Sequence, residues 1–336
     1  GKTMSQNIKE KMTIVSYFCG CGGLDLGFIG GFTYNNINFE KLPFEIIAAY
    51  DFNEQAIETY KQNIGNHAFV KNLADADPKE IPKANILMGG FPCQDFSSCG
   101  PLGGLDTERG KLYLSMVRYM KEHKPEIVIG ENVPNLEKMN NGAIIDKIVA
   151  DFEDCGYTFS VWKMEAKKYG VPRDLHSFPT RRSSDLVGIR NDIFSKAGSP
   201  EKPLETGVIH PIEWAIGDLV NINDESIPNQ SQYFLASRAK NGNGQGDETS
   251  KMGEPAYTIR ANAKSRVHFH YSLNRRLTVR ECARIQTFPD TFVFKHSKTT
   301  SIMQIGNAVP PMLAHAVGKS IATFVEKKEF LEAIKK

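Results

Sequence analysis

Ile14-Val15-Ser16-Tyr17-Phe18-Cys19-Gly20-Cys21-Gly22-Gly23-Leu24-Asp25-Leu26-Gly27 is the stretch on which the fold turns. Its first half is a short apolar run of the kind that forms a buried strand, and its second half is glycine-rich and then amphipathic. A strand ending in such a turn lets backbone approach a ligand closely, and the helix it opens points an N-terminus that favours polar or anionic groups. The turn therefore implies a nucleotide-like cofactor. The dinucleotide-binding spacing asks for glycine where Asp25 stands, so the dehydrogenase fingerprint is incomplete and the loop alone is weak evidence.

Outward from this turn, apolar runs alternate with amphipathic stretches as far as about Phe159. The pattern predicts strands over Thr13 to Phe18, Phe44 to Tyr50, Asn85 to Met88, Ile127 to Glu131 and Thr158 to Met164. Helices are predicted over Asn53 to Asn63, Lys111 to Glu122 and Ile144 to Asp154. This is an α/β fold with a mostly parallel, Rossmann-like sheet. Beyond Asn191 the chain is rich in loop residues, above all Asn241 to Gly246, with no strong helical period until Val279. We divide it into a cofactor-binding and catalytic domain at 13–198, a smaller irregular target-recognition domain at 199–272, and a C-terminal segment at 273–336.

The chain has 336 residues, 40% of them hydrophobic, enough for a sizeable core in about two domains. Forty-one Lys and Arg against 39 Asp and Glu leave a net charge of +2, so any nucleic-acid surface is a local patch. Such a patch exists late in the chain, where Lys264, Arg266, Arg275, Arg276, Arg280 and Arg284 cluster. No run approaches the roughly 18 apolar residues of a membrane span, and no signal core is evident, so a cytoplasmic protein is expected. Gly1-Lys2-Thr3 precede Met4, and translation is expected to begin at Met4 or Met12. The six cysteines are scattered, which predicts reduced thiols, and they lack the paired spacing of a zinc site. No metal is expected.

Two further strand ends carry chemistry. Asp51 closes the second strand, placed to accept hydrogen bonds from ribose hydroxyls, with Phe52 beside it as a flat face for adenine; the alternative is that Asp51 caps the following helix. Cys93 lies in Gly90-Phe91-Pro92-Cys93-Gln94, on a loop at the carboxyl end of a buried-looking strand, where open α/β sheets place their sites. It is a candidate nucleophile that a neighbouring cation or helix N-terminus would activate. Glu131 ends the next strong strand and is predicted to face the same pocket.

With these blocks in order, the sequence resembles the cytosine-C5 DNA methyltransferases from Ile14 to about Phe324. The resemblance rests on the FxGxGG turn, Pro92-Cys93-Gln94, Glu131-Asn132-Val133, the arginine-led block containing Glu281-Cys282-Ala283-Arg284-Ile285-Gln286, and Gln304-Ile305-Gly306-Asn307-Ala308-Val309-Pro310. It implies S-adenosylmethionine as cofactor, with Phe18, Gly20, Gly22, Gly23, Asp51, Phe52, Asn72, Leu73, Leu112 and Asn307 around it. Asn72 stands where the family usually has an acidic residue, and Asp75 is close enough to take that role. The resemblance also implies Cys93 as nucleophile and Glu131 as the base-edge acid, with Pro92, Gln94, Asn132 and Val133 around them. Double-stranded DNA is the implied partner, with Ser97, Arg275, Arg276 and Arg280 in contact with it. The glycine-rich stretch Gly100 to Gly110 suits a lid over the flipped base. Such enzymes serve restriction and modification as monomers, with a cognate restriction endonuclease as a functional rather than physical partner. An RNA cytosine-C5 methyltransferase, a nicotinamide-dependent oxidoreductase and a DNA-binding homologue without catalysis are the alternatives.

The chain departs from this pattern in one place. Between Val171-Pro172 and Val187-Gly188-Ile189-Arg190 the family has a short Gln-x-Arg-x-Arg strand, whose second arginine reaches the base. Here Arg173 to Leu186 is longer and lacks the pattern, and Leu175 to Leu186 reads as translated sequencing-adapter DNA spliced into the coding frame. Pro179 and Ser183-Ser184-Asp185 predict an exposed turn in place of a core strand, with Arg181 and Arg182 as possible substitutes for the missing arginine.

Overall fold

The computed structural model describes residues 10–90, 112–136, 139–174, 181–235, 248–259 and 268–335, with side chains at all but 132–136, 139–144 and 181–183. The chain opens with β1 (Met12–Tyr17) and α1 (Gly23–Ile29), followed by a hairpin of β2 (Phe32–Tyr34) and β3 (Ile37–Phe39). β4 (Phe44–Asp51), α2 (Glu54–Asn63) and β5 (Ala68–Val70) come next, then β6 (Ile86–Gly90), α3 (Tyr113–His123) and β7 (Ile127–Leu136). α4 (Met139–Glu153), β8 (Tyr157–Lys163), β9 (Arg181–Arg190) and α5 (Asn191–Ala197) complete the first part. The remainder holds α6 (Ile212–Ile216), the two-residue strands β10 (Glu248–Thr249) and β11 (His268–Phe269), α7 (Val279–Ile285), α8 (Lys298–Asn307), α9 (Pro311–Val325) and α10 (Lys328–Ile334).

Seven strands form one sheet in the order β5-β4-β1-β6-β7-β9-β8. β5, β4, β1, β6 and β7 are parallel, while β9 runs antiparallel to both its neighbours. The chain steps outward from β1 to β4 and β5, then returns to β6 on the other side of β1. That reversal creates a switch point between β1 and β6, where open α/β sheets bind ligands.

Parallel strands covered on both faces need apolar residues on both, and the alternation along each strand sorts them. Ile14, Ile86, Met88, Ile127, Ile129, Val187 and Ile189 share a core with α1, α9 and α10. Val15, Leu87, Val128 and Leu186 share the other with α3 and α4. A third cluster joins α6, α7 and α8 through Ile216, Val279, Ile285, Phe288, Phe292 and Ile305. Among the described residues no helix is long and apolar enough to cross a membrane.

The expected strands and helices of the first part lie within a few residues of those observed, except that α4 starts earlier. The structure differs in three places. Asn191–Ala197 and Ile212–Ile216 are helical where no helical period was expected. More consequentially, Arg181–Arg190 is an inner strand of the sheet, its residues paired on one side with β7 and on the other with β8. Ser184 and Asp185 are buried despite their polarity. Two neighbouring strands with open hydrogen-bonding edges outweigh the weak local preference of Ser and Asp for a turn. Leu175 to Thr180, including Pro179, lies outside the described residues.

Candidate active site

The carboxyl ends of β1, β4, β6 and β7 meet at one edge of the sheet. Tyr17 pairs with Tyr50 on one side and Gly89 on the other, and Gly90 pairs with Glu131. Phe18, Asp51 and Glu131 are thereby brought together at the switch point, and β6 ends at Gly90, close in sequence to Cys93. Pro92, Cys93, Gln94, Ser97 and the glycine-rich stretch Gly100 to Gly110 lie outside the described residues.

The turn after β1 is built on left-handed backbone, with φ of 57° at Phe18, 53° at Gly20 and 105° at Gly22. A Cβ on Gly22 would stand 2.2 Å from Ile64 Cδ1 and 2.9 Å from Tyr60 Cδ2, and one on Gly23 would stand 2.2 Å from the Val309 carbonyl oxygen. Both positions require glycine for space. At Gly20 a Cβ would meet nothing within 4 Å among the described residues.

Asp51 fixes this turn. Its Oδ2 accepts from Gly20 N at 2.9 Å, and its Oδ1 accepts from Asn53 N at 2.9 Å. The cap of α2 is Asn53, whose side chain accepts from Ala56 N, so Asp51 is not the capping residue. Burial pushes the Asp51 carboxyl up from its ordinary value, and the N–H groups of Asn53, Gly20 and Phe52 oppose that. Phe52 is 63% exposed, an uncovered ring at the same edge. Asn72 accepts from Ala74 N at 3.1 Å and donates to Asp75 Oδ2 at 3.4 Å, while Leu73 is buried beneath it. Leu112 caps the start of α3 and Asn307 ends α8.

Glu131 is 3% exposed, and its Oε2 has no hydrogen-bond partner among the described residues. Gly130 pairs with Leu186, so Asp185 comes up on the adjacent strand. Burial raises the Glu131 carboxyl well above the usual range, Asp185 raises it further, and the Arg173 guanidinium opposes both. A carboxyl so placed is biased towards its protonated form, in which it can donate a hydrogen bond.

The C-5 cytosine-specific DNA methylase family matches residues 12–205 and 216–323. The chain belongs to that family. Type II methyltransferase M.BspRI of Lysinibacillus sphaericus is 32% identical to it, over 94% of this chain and 82% of its own. Type II methyltransferase M.NgoFVII of Neisseria gonorrhoeae is 34% identical, over 93% and 87%. Among solved structures, the Entamoeba histolytica methyltransferase EhMeth matches with a TM-score of 0.69 at 15% identity, covering 94% of this chain and 99% of its own. S. pombe Dnmt2 methyltransferase matches with 0.64 at 18%, covering 94% and 99%. The DNA methylase therefore has the Rossmann-like methyltransferase fold that its sequence predicts.

Two of the arginines expected to hold DNA phosphates do not present themselves to solvent in this DNA methylase. The Arg280 side chain is fully buried, and it donates to the carbonyls of Pro228, Pro289 and Phe292 and to Asn229 Oδ1. Arg275 makes a two-pronged ion pair with Glu281, at 2.7 and 3.0 Å, and Glu281 in turn caps α7 through Thr278. Arg284, from the same basic run, is held by Asp218 and Asp290. The cluster is a set of internal clamps: Glu281, Pro289, Asp290 and Phe292 hold it from close by in sequence, and Asp218, Pro228 and Asn229 from a distant segment. Arg276 is half-buried between Phe234 and Phe269.

Ser16 and Tyr60 escaped the sequence reading, although they support the glycine-rich turn, and Gln304, legible only as part of a block, is bonded to Thr59. Asp25, a charged residue within an apolar helix start, was the available signal for the first two.

Proposed function

We propose that this protein transfers a methyl group from S-adenosylmethionine to C5 of a flipped-out cytosine in a specific duplex DNA sequence, through a covalent bond between Cys93 and C6. One juxtaposition carries the reading. The Gly90 to Glu131 pairing sets a buried carboxyl, its ionisation disfavoured by that burial, beside the strand end that leads to Cys93, and that strand end adjoins β1 and its glycine-rich turn.

The residues present fit S-adenosylmethionine. Among the described residues nothing crowds Gly20, Asp51 is held with lone pairs to spare for ribose hydroxyls, and Phe52 offers an exposed ring for adenine. Phe18, Gly22, Gly23, Asn72, Leu73, Leu112 and Asn307 would complete the seat. When bound, the cofactor supplies an electrophilic methyl group.

The protein's residues do the rest. Cytosine C5 is a poor nucleophile until the Cys93 thiolate bonds to C6 and gives the ring enamine character. Glu131 hydrogen-bonds the base edge at N3 and the exocyclic amine, so that charge does not build on the ring, a role worth about 10² to 10⁴ in rate. C5 then takes the methyl, a base or ordered water removes the C5 proton, the double bond re-forms and the thiolate leaves. Pro92, Gln94, Asn132 and Val133 shape this pocket, and flipping the base costs a few kcal/mol that pocket contacts offset. Of the arginines assigned to phosphates, Arg276 keeps that role in this reading, with Ser97 nearer the base. Relatives named Type II methyltransferases support modification paired with a restriction endonuclease of the same specificity.

The test is transfer of labelled methyl from S-adenosylmethionine to unmethylated duplex DNA, with tRNA and Cys93→Ala run in parallel. Label is expected in DNA as 5-methylcytosine and absent with the variant. Label confined to tRNA would overturn the substrate, and label retained by Cys93→Ala would overturn the nucleophile.

A further inference from the structure

We propose that Asp25 is a positioning residue for the cofactor turn: from inside the fold it fixes Tyr60, whose ring seats Gly22, and Tyr60 and His67 connect it to solvent. The inference rests on the reading of Gly20–Gly23 as the S-adenosylmethionine seat.

Asp25 stands in the first turn of α1 with no exposed surface. A buried carboxylate persists only when its oxygens are hydrogen-bonded. Here the Ser16 hydroxyl of β1 donates to Oδ1 at 2.7 Å, and the Tyr60 hydroxyl of α2 donates to Oδ2. The same hydroxyl meets His67 Nε2 at 2.8 Å. With hydrogen on that nitrogen, the chain runs in one direction, from His67 to Tyr60 to Asp25. The ionised carboxylate accepts from both hydroxyls, whereas a protonated Asp25 donates through one oxygen and reverses the bond to that hydroxyl, which must then turn its own hydrogen elsewhere.

The position of Tyr60 matters for the turn. Its ring lies so close beneath Gly22 that a Cβ there would come within 2.9 Å of it. The adjacent Thr59 donates to Gln304 Oε1 at 2.8 Å, on the helix that ends in Asn307. One step of α2 thus braces the cofactor turn and α8 together. A shift of Tyr60 moves the seat of Gly22.

The other titratable groups around Asp25 leave it no cation at close range among the described residues. Cys19, in the turn itself, has its thiol pushed well above the ordinary value by burial, with Asp25 and Asp51 adding to it. His67 is half-buried and lowered by that burial. On the α9 side, Ala314 faces Gly27, and His315 is turned to the Glu40 carbonyl. Burial lifts the Asp25 carboxyl to about 6, against the pull of the Tyr60 and Ser16 hydroxyls. Its proton therefore arrives just below neutral pH, and cofactor affinity should fall with it.

Calorimetric binding of S-adenosylmethionine to the full chain, at a series of pH values, tests this with Asp25→Asn, Tyr60→Phe and the double variant. Wild-type affinity is expected to weaken about fourfold between about pH 7.5 and 5.5, which is the fall in the ionised fraction of a group titrating near 6. Each single variant should bind more weakly at the higher pH, with a flattened pH profile and a KM for S-adenosylmethionine that rises more than kcat falls. The double variant should bind no more weakly than the weaker single one. If Asp25→Asn does not fold, Tyr60→Phe carries the test alone, and a wild-type affinity and pH slope in that variant would overturn the proposal. A wild-type protein that binds no S-adenosylmethionine at any pH would instead overturn the cofactor reading.

Discussion

Arg280 brings a full charge into the third cluster and keeps it there with four acceptors drawn from two segments of chain, 228–229 and 289–292. Burial pulls its ionisation down to about 10, so the guanidinium stays charged at neutral pH. Removing a buried charge's partner or the charge itself strands the groups left behind, at a cost of about 3 to 5 kcal/mol. Arg280→Ala should lower the unfolding midpoint in denaturant by an amount of that order. The salt dependence of DNA binding by the folded fraction should not change. A phosphate-contacting arginine would behave oppositely, with stability retained and the salt slope reduced by about one. In sequence Arg275, Arg280 and Arg284 looked alike as a basic run. Their distant partners, Asp218, Pro228 and Asn229, were legible only once the chain had folded back on itself.

At the level of elements, β9 is where local sequence and structure part. Ser183-Ser184-Asp185 favours a turn, yet the segment is paired along both edges. The result sets Asp185 next to Glu131 on neighbouring strands, where each carboxylate disfavours ionisation of the other. Glu131 is raised above its unfolded value, so its contribution to stability is present below the ordinary glutamate range and is lost as pH rises through the raised value. Asp185→Val should therefore flatten the decline in thermal midpoint as pH rises above the ordinary glutamate range, relative to the parent chain. A variant whose 173–186 segment is rebuilt as a Gln-x-Arg-x-Arg strand should transfer methyl groups faster, because an arginine returns to the base pocket. Equal turnover by the two versions would sink that idea.

Over the whole molecule, the C-terminal part closes the fold on its own beginning. Gly23 lies against the Val309 carbonyl and Gly27 against Ala314 and Pro311, so α9 packs onto α1 through glycines without room for a methyl group. A Cβ on Gly27 would be 2.3 Å from Ala314 Cβ and 2.7 Å from the Pro311 oxygen. Gly27→Ala should destabilise by about 1 to 3 kcal/mol, as overpacking does, measured as a lower denaturant midpoint with an unchanged slope. Sequence alone determined the alternating α/β pattern, the glycine-rich turn, Asp51, the Glu131 strand end and the family resemblance. Apolar periodicity and strand-end motifs are local, and they survive without knowledge of distant partners. Only the tertiary structure decided that Arg181–Arg190 is a strand, that the arginine run faces inward, and that Asp25 and Tyr60 brace the turn. Those outcomes depend on hydrogen-bonding edges and carboxylates supplied from far along the chain, which no local window contains.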